Sequence, residues 1–276
     1  MTGKASPPGP AERVWRLFGR ELRTVARTRT YLFLTAALAA ILLGIALTGS
    51  VTAGYVPTVV DLLTPLELLV PIIAVAFGYR AIVADDARGE LDVLATYPVS
   101  AREHVLGVYI GRAVGLLIAI VTPLVIVGGA VAFRREEPVA IYATTAGADS
   151  PILFARFVLL TIAFALVVLA VALAISALAG GIRSGLVLAI VALIVLLVGL
   201  DLALVFGLSA GYLPESALLE AIAISPLSAY RGLVFETVIT TAAGSGPETA
   251  SVPASILGLA AWLVGSLVVA AWALRR

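Results

Sequence analysis

Six long apolar runs constrain this chain more than any other feature of its sequence. About 20 apolar residues of helix cross a hydrocarbon core of roughly 30 Å, and each run is close to that length or longer. The runs are continuous, whereas a membrane barrel shows short alternating strands. Hydrophobic residues make up 61% of the chain and charged residues 13%, so the sequence predicts an all-α, polytopic membrane protein. The expected transmembrane helices are 31–48, 62–83, 106–133, 152–179, 184–208 and 254–274.

The distribution of positive charge predicts how the chain crosses the membrane. Lys and Arg residues near span ends are retained on the cytoplasmic side. With a cytoplasmic N-terminus, fourteen of the 18 lie on that side. We therefore expect a multi-pass protein of the plasma membrane with both termini in the cytoplasm. The start of the chain lacks the apolar core of a signal peptide, so the first span is expected to remain in the mature protein. The four residues expected outside are Arg134, Arg135, Arg156 and Arg231.

An amphipathic interfacial helix is predicted over 11–30, after a disordered tail over 1–10. Five arginines recur there at steps of three and four residues, which places them on one stripe of a helix, opposite Val14 and Phe18. Such a helix lies in the inner membrane interface with its arginines towards anionic headgroups. Its strong apolar face argues against a nucleic-acid-binding arm, and no nucleic-acid partner is expected. The stripe consists of Arg13, Arg16, Arg20, Arg23 and Arg27.

A compact polar segment over 84–104 separates the second and third runs. Its stretch from Glu90 to Thr96 reads as a short helix with an apolar face, which Pro98 ends because proline disfavours helical backbone before it. Ser100 and Glu103 then form a capping box, which predicts a rigid start to the third helix. From the residues alone, an ordinary tight loop and a docking surface are equally well supported.

This segment resembles part of a known transporter family. The stretch from Gly89 to Arg102 is similar to the segment after the second span of ABC-2 type transporter permeases, a Gly-Thr-Leu-Glu-Leu-Leu-Leu run that ends in Pro-Val-Ser-Arg. It departs from that pattern at Glu90, where the family has Thr, and at Ala101, which displaces the Arg by one place. The six spans and the N-terminal helix also suit this family.

A second stretch resembles one branch of the same family. Ser225 to Arg231 is similar to the Asn-Pro-x-x-x-x-Arg motif of the branch associated with nitrous-oxide reductase maturation and copper processing. Ser225 stands where that motif has Asn. The two resemblances together imply the permease subunit of an ABC-2 type ABC transporter, which moves a substrate across the membrane.

The resemblance also implies partners and a coupling helix. The permease pairs with a second copy, as a homodimer, or with a related permease, and with two ATPase subunits; an extracytoplasmic accessory protein is compatible with this layout. No Gly-x-x-x-x-Gly-Lys-Ser/Thr loop occurs here, so ATP and Mg are expected in the ATPase and no cofactor in this chain. Asp85, Asp86 and Arg88 are expected to form a solvated rim. The implied ATPase-coupling residues are Gly89, Glu90, Leu91, Leu94, Thr96, Pro98, Val99, Ser100, Arg102 and Glu103.

Charged residues in or beside the spans mark a candidate external vestibule, since charge within a membrane is costly. All are expected near the outer leaflet and none at the bilayer centre. Pairing or snorkelling at the interface is therefore the favoured explanation, and an outward-facing polar vestibule is the alternative. Arg231 is a candidate partner of Glu67 or Asp201. The candidate vestibule residues are Glu67, Arg156, Asp201 and Arg231.

The external segment over 209–253 is too long and too apolar for a simple turn. Two short external helices before the last span are expected, with a break at Pro226. A flexible surface connection is then expected over 241–247, because that stretch is rich in Gly and small residues.

Two other classes of function were compared with the permease. An intramembrane enzyme needs a catalytic constellation, but His104 is the only histidine, no Cys occurs and no His-Glu-x-x-His motif is present,. The same composition gives no expected metal site. An ATP-independent six-helix carrier or channel suits the helix count, but the two halves show no clear inverted repeat.

Overall fold

The computed structural model describes residues 9, 11–12, 14–15, 18–20, 29–89, 100–135, 149–214, 217–244, 246 and 248–275 of the chain. Within these residues the chain is helical and contains no strand, which confirms the predicted all-α class. Six helices in the described part are long and apolar enough to cross a membrane. They are α1 (Arg29–Thr48), α2 (Tyr55–Gly78), α4 (Ala101–Arg134), α5 (Pro151–Leu178), α6 (Ile182–Ser209) and α10 (Val252–Ala273), with the short α3 (Val83–Ala87) after α2.

Helix α5 forms the centre of the bundle. It packs most extensively against α2 and α10, and also against α4. In its apolar stretch 61% of the residues are buried, against 11% in α6. The close approach of α2 depends on Gly78, because a Cβ there would lie 2.5 Å from the Cβ of Ala172. The main core lies between α1, α2, α4 and α5, where Leu66 and Leu116 are fully buried.

Helix α2 begins at Tyr55, seven residues earlier than the sequence predicts. Pro57 lies in its first turn, where a missing N–H costs the helix nothing. The Asp61 carboxylate accepts a hydrogen bond from the Ser50 backbone N–H at 2.7 Å, so its charge is compatible with a helix start. Glu67 is consequently the thirteenth of the 24 residues of α2. It lies midway along the helix, farther from the helix start than in the predicted span over 62–83, and its predicted level near the outer leaflet stays a prediction.

Helix α6 is the least packed of the six. Near its start it contacts α5, α2 and α3, and Gly185 faces Ala179 and the Tyr79 carbonyl there. A π turn, Val195–Gly199, interrupts its middle. Most of its large apolar side chains face outward, so α6 stands as an apolar outer face of the monomer.

The segment between α6 and α10 contains the two short helices that the sequence predicts, separated at Pro226. The predicted flexible connection over 241–247 is wrong at its start, because the chain stays helical to Ala243. Gly244 ends this helix at φ +75, a left-handed conformation that glycine adopts without steric cost. The elements are α7 (Leu218–Ala221), a 3-10 turn (Ile222–Ile224), α8 (Pro226–Val234), a π turn (Phe235–Ile239) and α9 (Thr240–Ala243).

Candidate functional site

One polar cluster lies where α3 leads into the predicted coupling segment; Arg20, Asp85, Arg88 and His104 form this Asp85 cluster. Asp85 is only 4% exposed. Its Oδ2 accepts a hydrogen bond from Arg20 Nη2 at 2.7 Å, and its Oδ1 accepts one from Arg88 Nη2 at 2.6 Å. A carboxylate this deeply buried requires such counter-charges. The predicted solvated rim is therefore wrong for Asp85, although Asp86 and Arg88 are exposed.

Arg20 of the arginine stripe has a partner within the protein. Its guanidinium binds Asp85 while its side chain remains 36% exposed, and its predicted contact with lipid headgroups stays a prediction. Trp15 is 70% exposed and its ring lies 4.9 Å from that of Phe18, which fits an apolar face turned outward. The other stripe residues lie outside the described residues; they are Arg13, Arg16, Arg23 and Arg27.

Both ends of the predicted coupling segment are held by hydrogen bonds. At the first end, Ser176 Oγ of α5 accepts from the backbone N–H groups of Ile82 and Val83, each at 3.0 Å. At the second end, the Ser100 N–H donates to Glu103 Oε2 at 2.7 Å, and the Glu103 N–H donates to Ser100 Oγ at 3.3 Å. These two bonds confirm the predicted capping box at the start of α4,.

The remaining coupling residues divide between described and undescribed parts of the chain. Gly89 follows α3 with φ +70, and Arg102 lies exposed in the first turn of α4. Their role towards an ATPase stays a prediction, as does that of Ser100 and Glu103. The others lie outside the described residues; they are Glu90, Leu91, Leu94, Thr96, Pro98 and Val99.

His104 faces the interior of the bundle. It is 4% exposed, and neither ring nitrogen has a hydrogen-bond partner within the described ranges. The charges of Asp85 and Arg20 both act on its imidazole. It therefore belongs to the Asp85 cluster. This cluster brings together three separate parts of the chain, at residue 20, residues 85–88 and residue 104.

A second polar cluster lies farther along the helices, around α8. Glu67, Thr161, Asp201, Ser228, Tyr230 and Arg231 form this Arg231 cluster. Arg231 Nε donates to Glu67 Oε1 at 2.7 Å, and Nη2 donates to Oε2 at 2.5 Å. The Glu67 side chain is 8% exposed and that of Arg231 is 44% exposed. The structure thus joins the two residues that the sequence offered as partners, through a bidentate ion pair.

Two further side chains of α8 bind neighbouring helices. Ser228 Oγ donates to Asp201 Oδ1 of α6 at 2.7 Å. Tyr230 is fully buried, its hydroxyl lies 2.9 Å from Thr161 Oγ1 of α5, and its ring stacks on that of Phe164. With the ion pair to α2, these bonds fix α8 to three spanning helices.

Three members of this cluster, Thr161, Ser228 and Tyr230, do not follow from charge alone. A signal for two of them exists in the sequence, because Ser228 and Tyr230 directly precede the charged Arg231 in one capped helix. The cap is visible as well: Ser225 Oγ accepts from the Ser228 N–H at 3.2 Å,. The partner helices, in contrast, required the three-dimensional arrangement.

Arg156 does not belong to this cluster, because its hydrogen-bond partner lies in the turn after α8. Its Nη1 donates to the carbonyl of Thr237 at 2.5 Å, within the π turn after α8, where the helical hydrogen-bond pattern shifts. Three of the four candidate vestibule residues therefore converge on α8, and Arg156 supports the following turn. The favoured explanation of mutual pairing holds for Glu67 and Arg231, and the vestibule itself stays a prediction.

The Arg231 cluster combines a permanently charged guanidinium, on Arg231, with a neutral hydroxyl group, on Tyr230. The hydrogen bond to Glu67 raises the pKa of Arg231, so the guanidinium remains charged,. Burial raises the pKa of the Tyr230 hydroxyl, so it remains a neutral hydrogen-bonding group. In the described part of the chain, no three His, Asp or Glu residues converge as metal ligands. The cluster can position helices or a polar ligand.

Six apolar helices in the described part of the chain, with ion-paired charges between them, define a multi-pass membrane protein. Comparison with known proteins identifies the family. Residues 15–276 match the family described as "ABC-2 family transporter protein", and the chain belongs to this family. It is the transmembrane permease subunit of an ABC transporter and, as such, a transporter rather than a catalytic enzyme.

Two curated relatives are named "Probable ABC transporter permease protein NosY". The one from Pseudomonas aeruginosa is 32% identical over 276 residues, covering 95% of this chain and 98% of the relative. The one from Stutzerimonas stutzeri is 28% identical over 280 residues, covering 95% and 98%. These relatives agree with the family and the branch that the two sequence stretches resemble.

Proposed function

We propose that a separate ATPase, bound at the segment over 84–104, drives this permease. The observation that carries the proposal is the frame around that segment, in which Ser176 holds one end and the Ser100 capping box holds the other. Movement of an ATPase bound here would act on α2, α4 and α5, because the two described ends of the segment are joined to these helices. ATP and Mg would bind in the ATPase, because this chain carries no phosphate-binding loop,.

The proposed cycle begins with closure of the ATPase dimer on ATP. The coupling segment then moves, and the spans rock about the interface between two permeases. The Arg231 cluster, at a distance from the ATPase, is the candidate polar lining for cargo, and Glu67 and Asp201 supply its negative charge. The NosY relatives support this assignment to an ATP-driven permease rather than to a passive carrier.

Co-purification with the ATPase tests the docking site. Leu91→Asp or Leu94→Asp is expected to reduce the recovered ATPase at least tenfold, because a charge on the apolar face removes the contact while membrane insertion is retained. Ser184→Asp is the matched control, since Ser184 is exposed at the start of α6, outside the segment over 84–104. Undiminished recovery with the Leu variants, or equal loss with the control, contradicts the proposal.

We further propose that the permease works as a homodimer with α6 at the interface. In the monomer only 11% of the apolar stretch of α6 is buried. Membrane helices associate through close van der Waals packing, which a second copy would supply. The homodimer places the two Arg231 clusters, each bound to α6 through Asp201, close to the shared interface.

Cysteine cross-linking tests this interface cleanly, because the chain contains no native Cys. Val191→Cys on α6 is expected to form a dimer with a short membrane-permeant cross-linker. Leu257→Cys on α10 is the control, since both residues are exposed and apolar, at 51% and 69%. Equal cross-linking at the two positions, or none at Val191, argues against the α6 interface.

The proposed topology places both termini in the cytoplasm of the cell and the segment over 209–253 outside. This external segment would also offer the surface for an extracytoplasmic accessory protein. Gly246→Cys should react with a membrane-impermeant maleimide in intact cells, whereas Ala87→Cys should react only after permeabilisation. The reverse pattern would invert the topology.

A further inference from the structure

A groove of 520 Å³ lies between the start of α4 and the end of α10. Arg102 and Arg275 both lie in its wall. They lie at the same end of the groove, because α4 begins where α10 ends. Both arginines are exposed. The apolar part of the wall comes chiefly from four exposed side chains, namely Leu106, Val264, Val268 and Trp272.

The length of the groove matches one leaflet of a bilayer. From Val264 to Arg275 a helix rises roughly 16 Å at 1.5 Å per residue. A hydrocarbon core is about 30 Å thick, so the groove spans about half of it. Trp272 lies at the same end as Arg275, where an indole ring is favoured between hydrocarbon and headgroups. The cationic end is thus at headgroup level and the apolar part at acyl-chain level.

A second groove on the same helix shows that this pattern is specific. It has a volume of 480 Å³ and lies between α5 and α10, lined by residues that include Leu178, Trp262 and Val269. None of its lining residues is charged. The two guanidinium groups are therefore a property of the α4–α10 groove and not of every crevice along α10.

We propose that the α4–α10 groove binds one anionic phospholipid, with the phosphate between Arg102 and Arg275 and an acyl chain along Leu106, Val264 and Val268. Guanidinium groups suit this role because they bind phosphate oxygens in a bidentate manner and are weakly hydrated. Basic pockets between membrane helices recognise anionic headgroups by the same chemistry. The site goes beyond transport and ATPase docking, since it needs neither cargo nor ATPase.

Native mass spectrometry of the full-length protein, purified without ATPase, tests the site. The protein is incubated with equal amounts of phosphatidylglycerol and phosphatidylcholine. Wild type is expected to retain phosphatidylglycerol at least fivefold over phosphatidylcholine, and R102Q/R275Q is expected to lose this preference. The matched control is R80Q/R183Q, which removes two exposed arginines from the same end of the bundle, outside the groove. Equal retention of both lipids by wild type overturns the proposal, and so does an unchanged preference in R102Q/R275Q.

A groove-filling variant separates lipid binding from simple phosphate binding. Val268→Trp fills the apolar wall and keeps both arginines; Val268 is 61% exposed, so the larger ring does not enter the core. This variant is expected to reduce phosphatidylglycerol retention at least fivefold, and excess inorganic phosphate is expected not to displace the lipid from wild type. Full retention by Val268→Trp, or displacement by phosphate, would overturn the proposal. The single variants R102Q and R275Q, expected to lose part of the preference each, provide the same test if the double variant does not fold.

Discussion

Arg231 binds both carboxylate oxygens of Glu67, with Nε 2.7 Å from Oε1 and Nη2 2.5 Å from Oε2. The pair joins α8, which is too short to span a membrane, to the middle of α2. Bidentate pairing fixes orientation as well as distance. The ion pair therefore helps to fix the position of α8 among the spanning helices, together with its bonds to α5 and α6.

Removing Arg231 is expected to destabilise the protein by about 2 kcal/mol, because Glu67 would remain buried without its counter-charge. Breaking a fully buried pair costs about 3 to 5 kcal/mol, and the partial exposure of Arg231 lowers that figure. Arg231→Leu should lower the thermal unfolding midpoint in detergent more than Glu67→Gln does. The double variant E67Q/R231L should be more stable than the sum of the single losses predicts. Strict additivity would show that the two side chains do not interact.

The Tyr230 hydroxyl is expected to contribute about 1 kcal/mol. Thr161 Oγ1 already donates to the Phe157 carbonyl at 2.9 Å, so the Tyr230 hydroxyl acts as donor to Thr161. Tyr230→Phe removes this bond and keeps the stacked ring, whereas Tyr230→Ala also leaves a cavity and should cost about 3 to 5 kcal/mol. Thermal unfolding of the two variants, compared with wild type, measures both losses. Equal losses would mean that ring packing contributes nothing beyond the hydroxyl.

Gly258 allows α10 to approach the turn before α8. A Cβ at this position would overlap the carbonyl oxygen of Ala223, and a backbone atom cannot move aside easily. Gly258→Ala is expected to cost about 2 kcal/mol through overpacking. It should also break the hydrogen bond from Trp262 Nε1 to the Ile224 carbonyl, 2.9 Å long, and so change the tryptophan fluorescence.

The control for this prediction lies on the same helix. A Cβ added at Gly265 would meet no other atom within 4 Å, and alanine favours helix over glycine by up to about 1 kcal/mol. Gly265→Ala should leave stability unchanged or slightly higher and leave the fluorescence as in wild type. Destabilisation by both substitutions to the same extent would assign the effect to helix α10 in general rather than to the contact with Ala223.

Asp85→Asn is expected to loosen the N-terminal segment, because the amide loses the ion pairs with Arg20 and Arg88. Limited trypsin digestion should then cleave within 11–30 several times faster than in wild type. Asp86→Asn is the matched control, since Asp86 is adjacent and exposed. In the complex with the ATPase, Asp85→Asn should lower transport-coupled ATP hydrolysis more than the control does. Equal digestion rates for both variants would refute the anchoring role of Asp85.

The spanning helices could be predicted because length and apolar composition alone decide them. The start of α2 could not, because Pro57 and Asp61 look like breakers in a linear reading, and only the bond to Ser50 shows why the helix tolerates them. The capping box of α4 was predictable, since its two partners are three residues apart. Hydrogen bonds between residues this close in sequence can be predicted from the sequence alone.

Long-range pairing was only partly predictable. Arg231 and Glu67 stand 164 residues apart, and opposite charge within a membrane made them candidate partners without selecting between Glu67 and Asp201. Asp85 was misplaced as a surface residue, because its neighbour Arg88, three residues on, gives no sign of burial, and its second partner Arg20 lies 65 residues away. Distances between helices, rather than patterns along them, decide the pairs Arg231–Glu67 and Arg20–Asp85.

Helix α5 carries a fixed bond at each of two levels. Ser176 holds the backbone at the start of α3, and Thr161 holds Tyr230 of α8. The two side chains are separated by roughly 22 Å of continuous helix, at 1.5 Å per residue. If α5 moves as a rigid body, a displacement at Ser176 would be carried to Thr161 by the helix itself. The transmission of movement across the membrane would then depend on whether α5 stays straight.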